Sequence, residues 1–160
     1  MADYYADANA QAGNRKVALN QGGGRVSPQI TTWVTGGTQV DTDVVRLFTV
    51  PSNGTPYELF IDHAALSGMT DVDVGYYYTR ADGGAVIDKD NLADGLSFAT
   101  AATAKNALSA VTPANVGKRH WELAGLSRDP GGMLDIALTI NTAGTANGAV
   151  VARGLFVQLG

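Results

Sequence analysis

The stretch Met69–Phe98, MTDVDVGYYYTRADGGAVIDKDNLADGLSF, decides how the rest of the chain is read. It opens with strict alternation: Val72, Val74, Tyr76 and Tyr78 fall on one side of an extended strand, and Asp71, Asp73 and Gly75 on the other. The alternation breaks at Ala81-Asp82-Gly83-Gly84, where paired glycines allow the positive φ of a tight turn. Beyond the turn, Asp88 is placed to cap a short helix that runs through Leu92 and Ala93 and closes on Gly95. Strand, turn and helical insert together predict a β-rich domain.

Upstream, Tyr57–Leu66 (YELFIDHAAL) reads as a strand with Tyr57, Leu59 and Ile61 inward and Glu58 and Asp62 outward. Ser67-Gly68 is the turn expected to join it to the Met69 strand as an antiparallel hairpin. Asp43–Val50 is a further strand, ended by the β-turn sequence Pro51-Ser52-Asn53-Gly54. Arg25–Thr35 (RVSPQITTWVT) sets Val26, Ile30 and Val34 on one face and Trp33 beside Thr31 on the other. Pro28 has no N–H to give a ladder, which favours an edge position or a bulge. Trp33 is either a loop cover or an outward interface anchor. Residues Met1–Gly24 read as an arm that ends in a triple glycine. Its apolar groups Tyr4, Tyr5 and Leu19 fit a segment that orders on a partner surface, the plainer alternative being a frayed end.

Downstream, Ala99–Val116 loses periodicity and fits either a long loop or a weak, Thr-diluted helix. Lys118–Ala124 (KRHWELA) fits a short helix, with Gly125 as its left-handed cap and Leu126 folding back. The turn Asp129-Pro130-Gly131-Gly132 launches Met133–Asn141, where Leu134, Ile136, Leu138 and Ile140 alternate with Asp135, Ala137 and Thr139. Ala149–Leu159 (AVVARGLFVQL) is apolar on both faces with Arg153 as its only charge, the pattern of a central strand or a subunit boundary. Arg153 and Phe156 therefore join Tyr4, Tyr5, Leu19 and Trp33 as candidate interface residues. The expected fold is all-β: a jelly-roll-like β-sandwich over residues 25–160, with a short helical insertion and an extended N-terminal arm, 1–24.

Composition narrows the function classes. A chain of 160 residues makes one domain that buries roughly 70% of its unfolded surface. Its 15 acids are Asp except for Glu58 and Glu122, and Asp favours turns and caps over helix interiors. A net charge of −4 opposes direct duplex binding, which draws on a clustered basic face. There is no Cys, no apolar run approaches the roughly 20 residues of a membrane span, and the N-terminus lacks signal-peptide features. Retention in the cytoplasm is expected. His63 and His120 are too few for a metal-binding cupin; His63 fits a core edge and His120 the surface. Asp88, Asp90, Asn91 and Asp94 approach a calcium loop, but the Gly and Glu such a loop requires are missing, so they read as capping and solvated groups. Gln21–Gly24 is no phosphate loop, since no Lys-Ser/Thr follows. No catalytic set, cofactor or metal is expected.

The run DVDVGYYYTRADGGAVIDKDNLADG, the segment GKRHWELAGLSRDPGGMLDIALTINTAGTANGAV and the arm with AGNRKVALNQGGG resemble small structural proteins of tailed phages, the capsid cement or decoration proteins. That resemblance implies a jelly-roll body on the outer capsid surface that clamps neighbouring subunits of the major capsid protein. It also implies a dimer or trimer, assembly in the host cytoplasm, and no direct contact with nucleic acid or membrane. A carbohydrate-binding or receptor-binding sandwich is the alternative, with Trp33, Trp121 and Tyr76–Tyr78 as stacking rings.

Overall fold

A strand with one apolar side needs a second layer to cover that side, and most of this chain is built of such strands. The computed structural model describes residues 3–5 and 25–158. Its strands are β1 (Asp3–Tyr5), β2 (Arg25–Gly36), β3 (Val44–Pro51), β4 (Thr55–His63), β5 (Asp71–Tyr78), β6 (Val86–Leu96), β7 (Ala102–Asn106), β8 (Met133–Thr142) and β9 (Asn147–Gln158). They form two sheets, ordered β1-β3-β8-β5-β6 and β2-β9-β4-β7. All pairs are antiparallel except β1, which runs parallel to β3 along its edge.

The pairing has one logic. β5 pairs β6, β4 pairs β7, β3 pairs β8 and β2 pairs β9, so the chain is a long antiparallel ribbon folded over on itself. Rolled into two layers, that ribbon is a jelly roll of eight strands, with β1 added. Met69–Phe98 is the tip of the ribbon. The core lies between the layers, where Phe48, Leu59, Ile61, Tyr76, Ile136 and Phe156 are fully buried.

Several expectations change at this level. Asp88–Gly95 is not helical but the bulged centre of β6: Val74 lies opposite Ala93 while Tyr76 lies opposite Asp88. The intervening polar residues arch over Gly75, and Gly95, with φ of 64°, serves a second irregularity in the strand. β4 and β5 make no hairpin, because β4 belongs to the other sheet, between β9 and β7. Ser67-Gly68 is thus a crossing between layers. Ala102–Asn106 is a strand on the far edge, neither loop nor helix. Tyr57 is exposed, since a register shift between Pro56 and Glu58 sends two successive side chains outward.

Other features stand as expected. β2 is an edge strand, as Pro28 requires. The N–H of Gly54 donates to the Pro51 carbonyl and closes the β-turn. The short helix is His120–Leu123. It ends with Gly125 N–H on the Glu122 carbonyl and Leu126 N–H on the Trp121 carbonyl, a Schellman ending with Gly125 left-handed.

Candidate interaction surface

Each sheet of a sandwich turns one face to the core and one away, and the outer face is usually polar. Here the two outer faces differ. On the five-stranded sheet, Val44, Tyr77 and Ala137 form a second small cluster, fully covered. Arg46 is buried beside them, with its Nη1 donating to Asp135 at 2.9 Å and to the Tyr78 carbonyl, and its Nη2 to the Gly84 carbonyl. Thr49 donates to the other oxygen of Asp135, so this buried ion pair is closed by hydrogen bonds on both sides.

The outer face of the four-stranded sheet is uncovered. β2 turns Thr31, Trp33 and Thr35 to the core and leaves Val26, Ile30 and Val34 in solvent, at 56%, 65% and 67% exposure. On β9 the outward positions are Val151, Arg153, Leu155 and Val157, alternating with the buried Val150, Ala152 and Phe156. Phe60 continues the face on β4, and Tyr57 stands exposed at its end. Across the middle of the face an ion pair forms: Arg153 Nε donates to Asp62 Oδ2 at 2.7 Å and Nη2 to Oδ1 at 3.1 Å, and Glu58 stands exposed on the same row of β4. The hydrogen bond from Arg153 and the Ala104 N–H hold the Asp62 carboxyl below its usual range. Beside β4 the face opens into a cleft of about 310 Å³ lined by Tyr57, Phe60, Leu108, Val111 and Val116.

The candidate residues fall in different places. Trp33 is buried, so it anchors the core and presents no outward ring. Phe156 is likewise internal, edge-on to Phe48 at 5.3 Å. Arg153 lies on the open face, as its strand pattern suggested. Tyr4 and Tyr5 belong to β1, but their side chains lie outside the described residues, as does Leu19. The residues not anticipated as a surface are Val26, Ile30 and Val34. Their signal was visible as an apolar row at every fourth position, but with Thr and Trp opposite it was assigned no direction.

Three places gather titratable side chains. His63 stacks on Phe98 at 4.2 Å, at the core edge as expected. His120 is fully buried, not on the surface. The backbone N–H groups of His120 and Trp121 are pinned to Gly54 and Ser52, which turns the His120 ring inward. Its Nδ1 lies 2.6 Å from the Tyr76 hydroxyl and its ring tilts against Phe156. Burial lowers the His120 pKa to about 3 and pushes the Tyr76 hydroxyl well above its ordinary range, so both are neutral near pH 7. Asp73, Asp90 and Asp94 bring carboxylate oxygens within 4.8 Å of one another. The Lys89 ammonium sits 3.0 Å from Asp73, and Asn141 and the Gly95 N–H also donate to that carboxylate. Burial raises the Asp73 carboxyl, but these donors together outweigh it and hold it low.

No family model matches the chain, and no curated protein does. Solved structures do. A chain of "Capsid of Ralstonia phage GP4" is similar over 99% of this chain and 99% of its own length, with a TM-score of 0.69 and 14% identity. A chain of "Cyanophage Pam1 capsid asymmetric unit" is similar over 92% and 96%, with a TM-score of 0.52 and 15% identity. The likeness is one of fold: this jelly roll is shared, nearly end to end, with chains of two phage capsid structures.

Proposed function

We propose that the chain is a structural virion protein: a cement or decoration protein that binds the outside of a phage capsid and stabilises contacts between neighbouring capsid subunits. The observation that carries the reading is the uncovered apolar face of the β2-β9-β4-β7 sheet, on a fold shared with chains of phage capsid structures. Its partner is the major capsid protein, and copies of the chain also associate with one another as a dimer or trimer. A protein that binds assembled neighbours better than separated ones stabilises the assembly by mass action. Repetition over a symmetric shell multiplies a modest contact. The role requires a rigid body and an apolar docking face, and no catalytic group. Assembly takes place in the host cytoplasm and the finished protein resides on the virion.

The carbohydrate- or receptor-binding alternative loses three of its rings, because Trp33, Tyr76 and Tyr77 are buried. Binding on a glycan array would restore it. The direct test is location. The chain is expected on purified particles, accessible to antibody on intact heads; its absence from particles would overturn the proposal.

A further inference from the structure

We infer that Lys89 and Asn141 join in an intramolecular isopeptide bond, with Asp73 as its catalytic residue. The bond ties β6 to β8 across β5. It stands apart from the capsid reading, and its test needs no capsid.

Three neighbouring strands bring the groups together: Asn141 comes from β8, Asp73 from β5 and Lys89 from β6. The bulge of β6 lays the Lys89 backbone over Gly75, two residues along the same face from Asp73. Asp73 is buried there, with its Oδ2 3.0 Å from Lys89 Nζ. The same oxygen accepts from Asn141 Nδ2 at 2.6 Å, and Asn141 Oδ1 accepts from Nζ at 2.8 Å. Amine, amide and carboxylate thus close a ring. The amide stands this way round because Nδ2 also donates to Asp71 at 3.1 Å; turned over, its oxygen would face two carboxylates. The electrophilic Cγ is one bond beyond the oxygen that Nζ already touches. Holding reactants in this way makes an otherwise sluggish amide exchange unimolecular.

The step balances within the protein. Asp73 takes a proton from the Lys89 ammonium, and the freed amine attacks Cγ of Asn141. Asp73 returns the proton to Nδ2, the Cγ–Nδ2 bond breaks and ammonia leaves. The second proton shed by Nζ passes through Asp73 to the ammonia, so one ammonium is released and nothing is oxidised or reduced. The Lys89 side chain is 45% exposed, which gives the ammonia a way out. At rest the pair is ionic. Burial raises the Asp73 carboxyl, but hydrogen bonds from Asn141, Gly95 and Lys89 hold it low, and the bond to Asp73 keeps the Lys89 ammonium up. Asp90 and Asp94 bring carboxylate oxygens within 4.8 Å of Asp73, and like charge so near favours the proton on Asp73 that the relay needs. The reaction runs through this minor neutral form and is slow, which suffices for a bond made once per molecule. The chain has no Cys, so a bond of this kind braces it where disulfides do not form. It closes a separation of 52 residues and fastens β6, an edge strand, to the middle of its sheet.

The test is the mass of the full chain, taken after denaturation. The folded protein, once incubated, is expected to be lighter than its sequence by one ammonia. Loss of ammonia at an Asn-Gly pair, such as Asn53-Gly54 or Asn147-Gly148, gives the same mass, so the site is read by tryptic digestion. Cleavage after Lys89 should fail, and residues 81–105 should appear joined to residues 129–153 as one branched peptide. Lys89→Arg keeps the cation but removes the nucleophile, and should restore the full mass and abolish the branch. Asp73→Asn leaves Lys89 and Asn141 in place and should also abolish it. Should Asp73→Asn fail to fold, Lys89→Arg decides alone, because position 89 is exposed. A wild type that keeps its full mass after prolonged incubation would overturn the inference. So would a mass loss without the branch, or a branch that forms as fast in folded Asp73→Asn.

Discussion

Gly75 lets β6 lie against β5 more closely than any side chain permits. A β-carbon there would stand 2.1 Å from the Asp88 carbonyl oxygen and 2.4 Å from the Lys89 carbonyl carbon, both backbone atoms that cannot swing aside. Gly75→Ala should therefore cost about 3 kcal/mol or more, read by urea denaturation. Gly132→Ala, which meets nothing within 4 Å, should stay within about 0.5 kcal/mol of the parent. His120 is the second telling residue. Its folded pKa of about 3 lies below the roughly 6.5 of an unfolded histidine, so the unfolded chain binds the proton first. This contribution to stability is complete above about pH 6.5 and is lost as the pH falls toward 3, by at most roughly 1.4 kcal/mol per pH unit. Between pH 7 and 4.5 the wild type should lose about 2 to 3 kcal/mol more stability than His120→Gln. Equal slopes for the two proteins would contradict a buried neutral His120.

Elements were legible where alternation was clean and misread where it was not. β8 was recognisable from Leu134 to Ile140 because every second residue is a large aliphatic one that lands in the core. The Schellman ending at Gly125 was legible because its signals are local. The Asp88–Gly95 helix was a misreading with a definite cause. Asp and Gly punctuate bulges as well as caps, and only Gly75, on the neighbouring strand, shows which one is meant. The β4–β5 hairpin failed because turn residues reveal that the chain turns, not which layer it turns into. Trp33 stayed open between a loop cover and an outward anchor for a similar reason. Period two separates the faces of a strand without labelling them, and on β2 the aliphatic row is the outer one. The proposed arm belongs to this scale. Residues 1–24 include β1, a three-residue addition to an edge, while both jelly-roll sheets draw their main pairs from β2 to β9. Deleting 1–24 should leave far-UV circular dichroism close to that of the full chain and weaken co-sedimentation with empty capsids. Ordering costs about 1 to 2 kcal/mol per residue and burial of a Leu-sized group returns about 1.5 to 3, so an arm ordered over a few residues is proposed as a latch and not as the main anchor. Undiminished binding after truncation would remove the arm from the account.

At the scale of the molecule, the two sheets divide the work. In the five-stranded sheet, β3, β8 and β5 are buried on both faces and braced by the Arg46–Asp135 pair. The β2-β9-β4-β7 sheet turns one face to the same core and leaves the other exposed, with aliphatic rows on β2 and β9. Composition and motif spacing led to a β-sandwich without a catalytic set. They could not locate the exposed apolar face, because its position depends on which strands pair across the folded ribbon. The central claim is that this face, set on a shell, makes the shell harder to take apart. The most direct measurement adds the full-length protein to capsids assembled without it and follows their dissociation on heating. The account predicts a higher dissociation temperature that rises with protein concentration and is lost with a charge at Ile30. A dissociation temperature that does not move at saturating protein would contradict it.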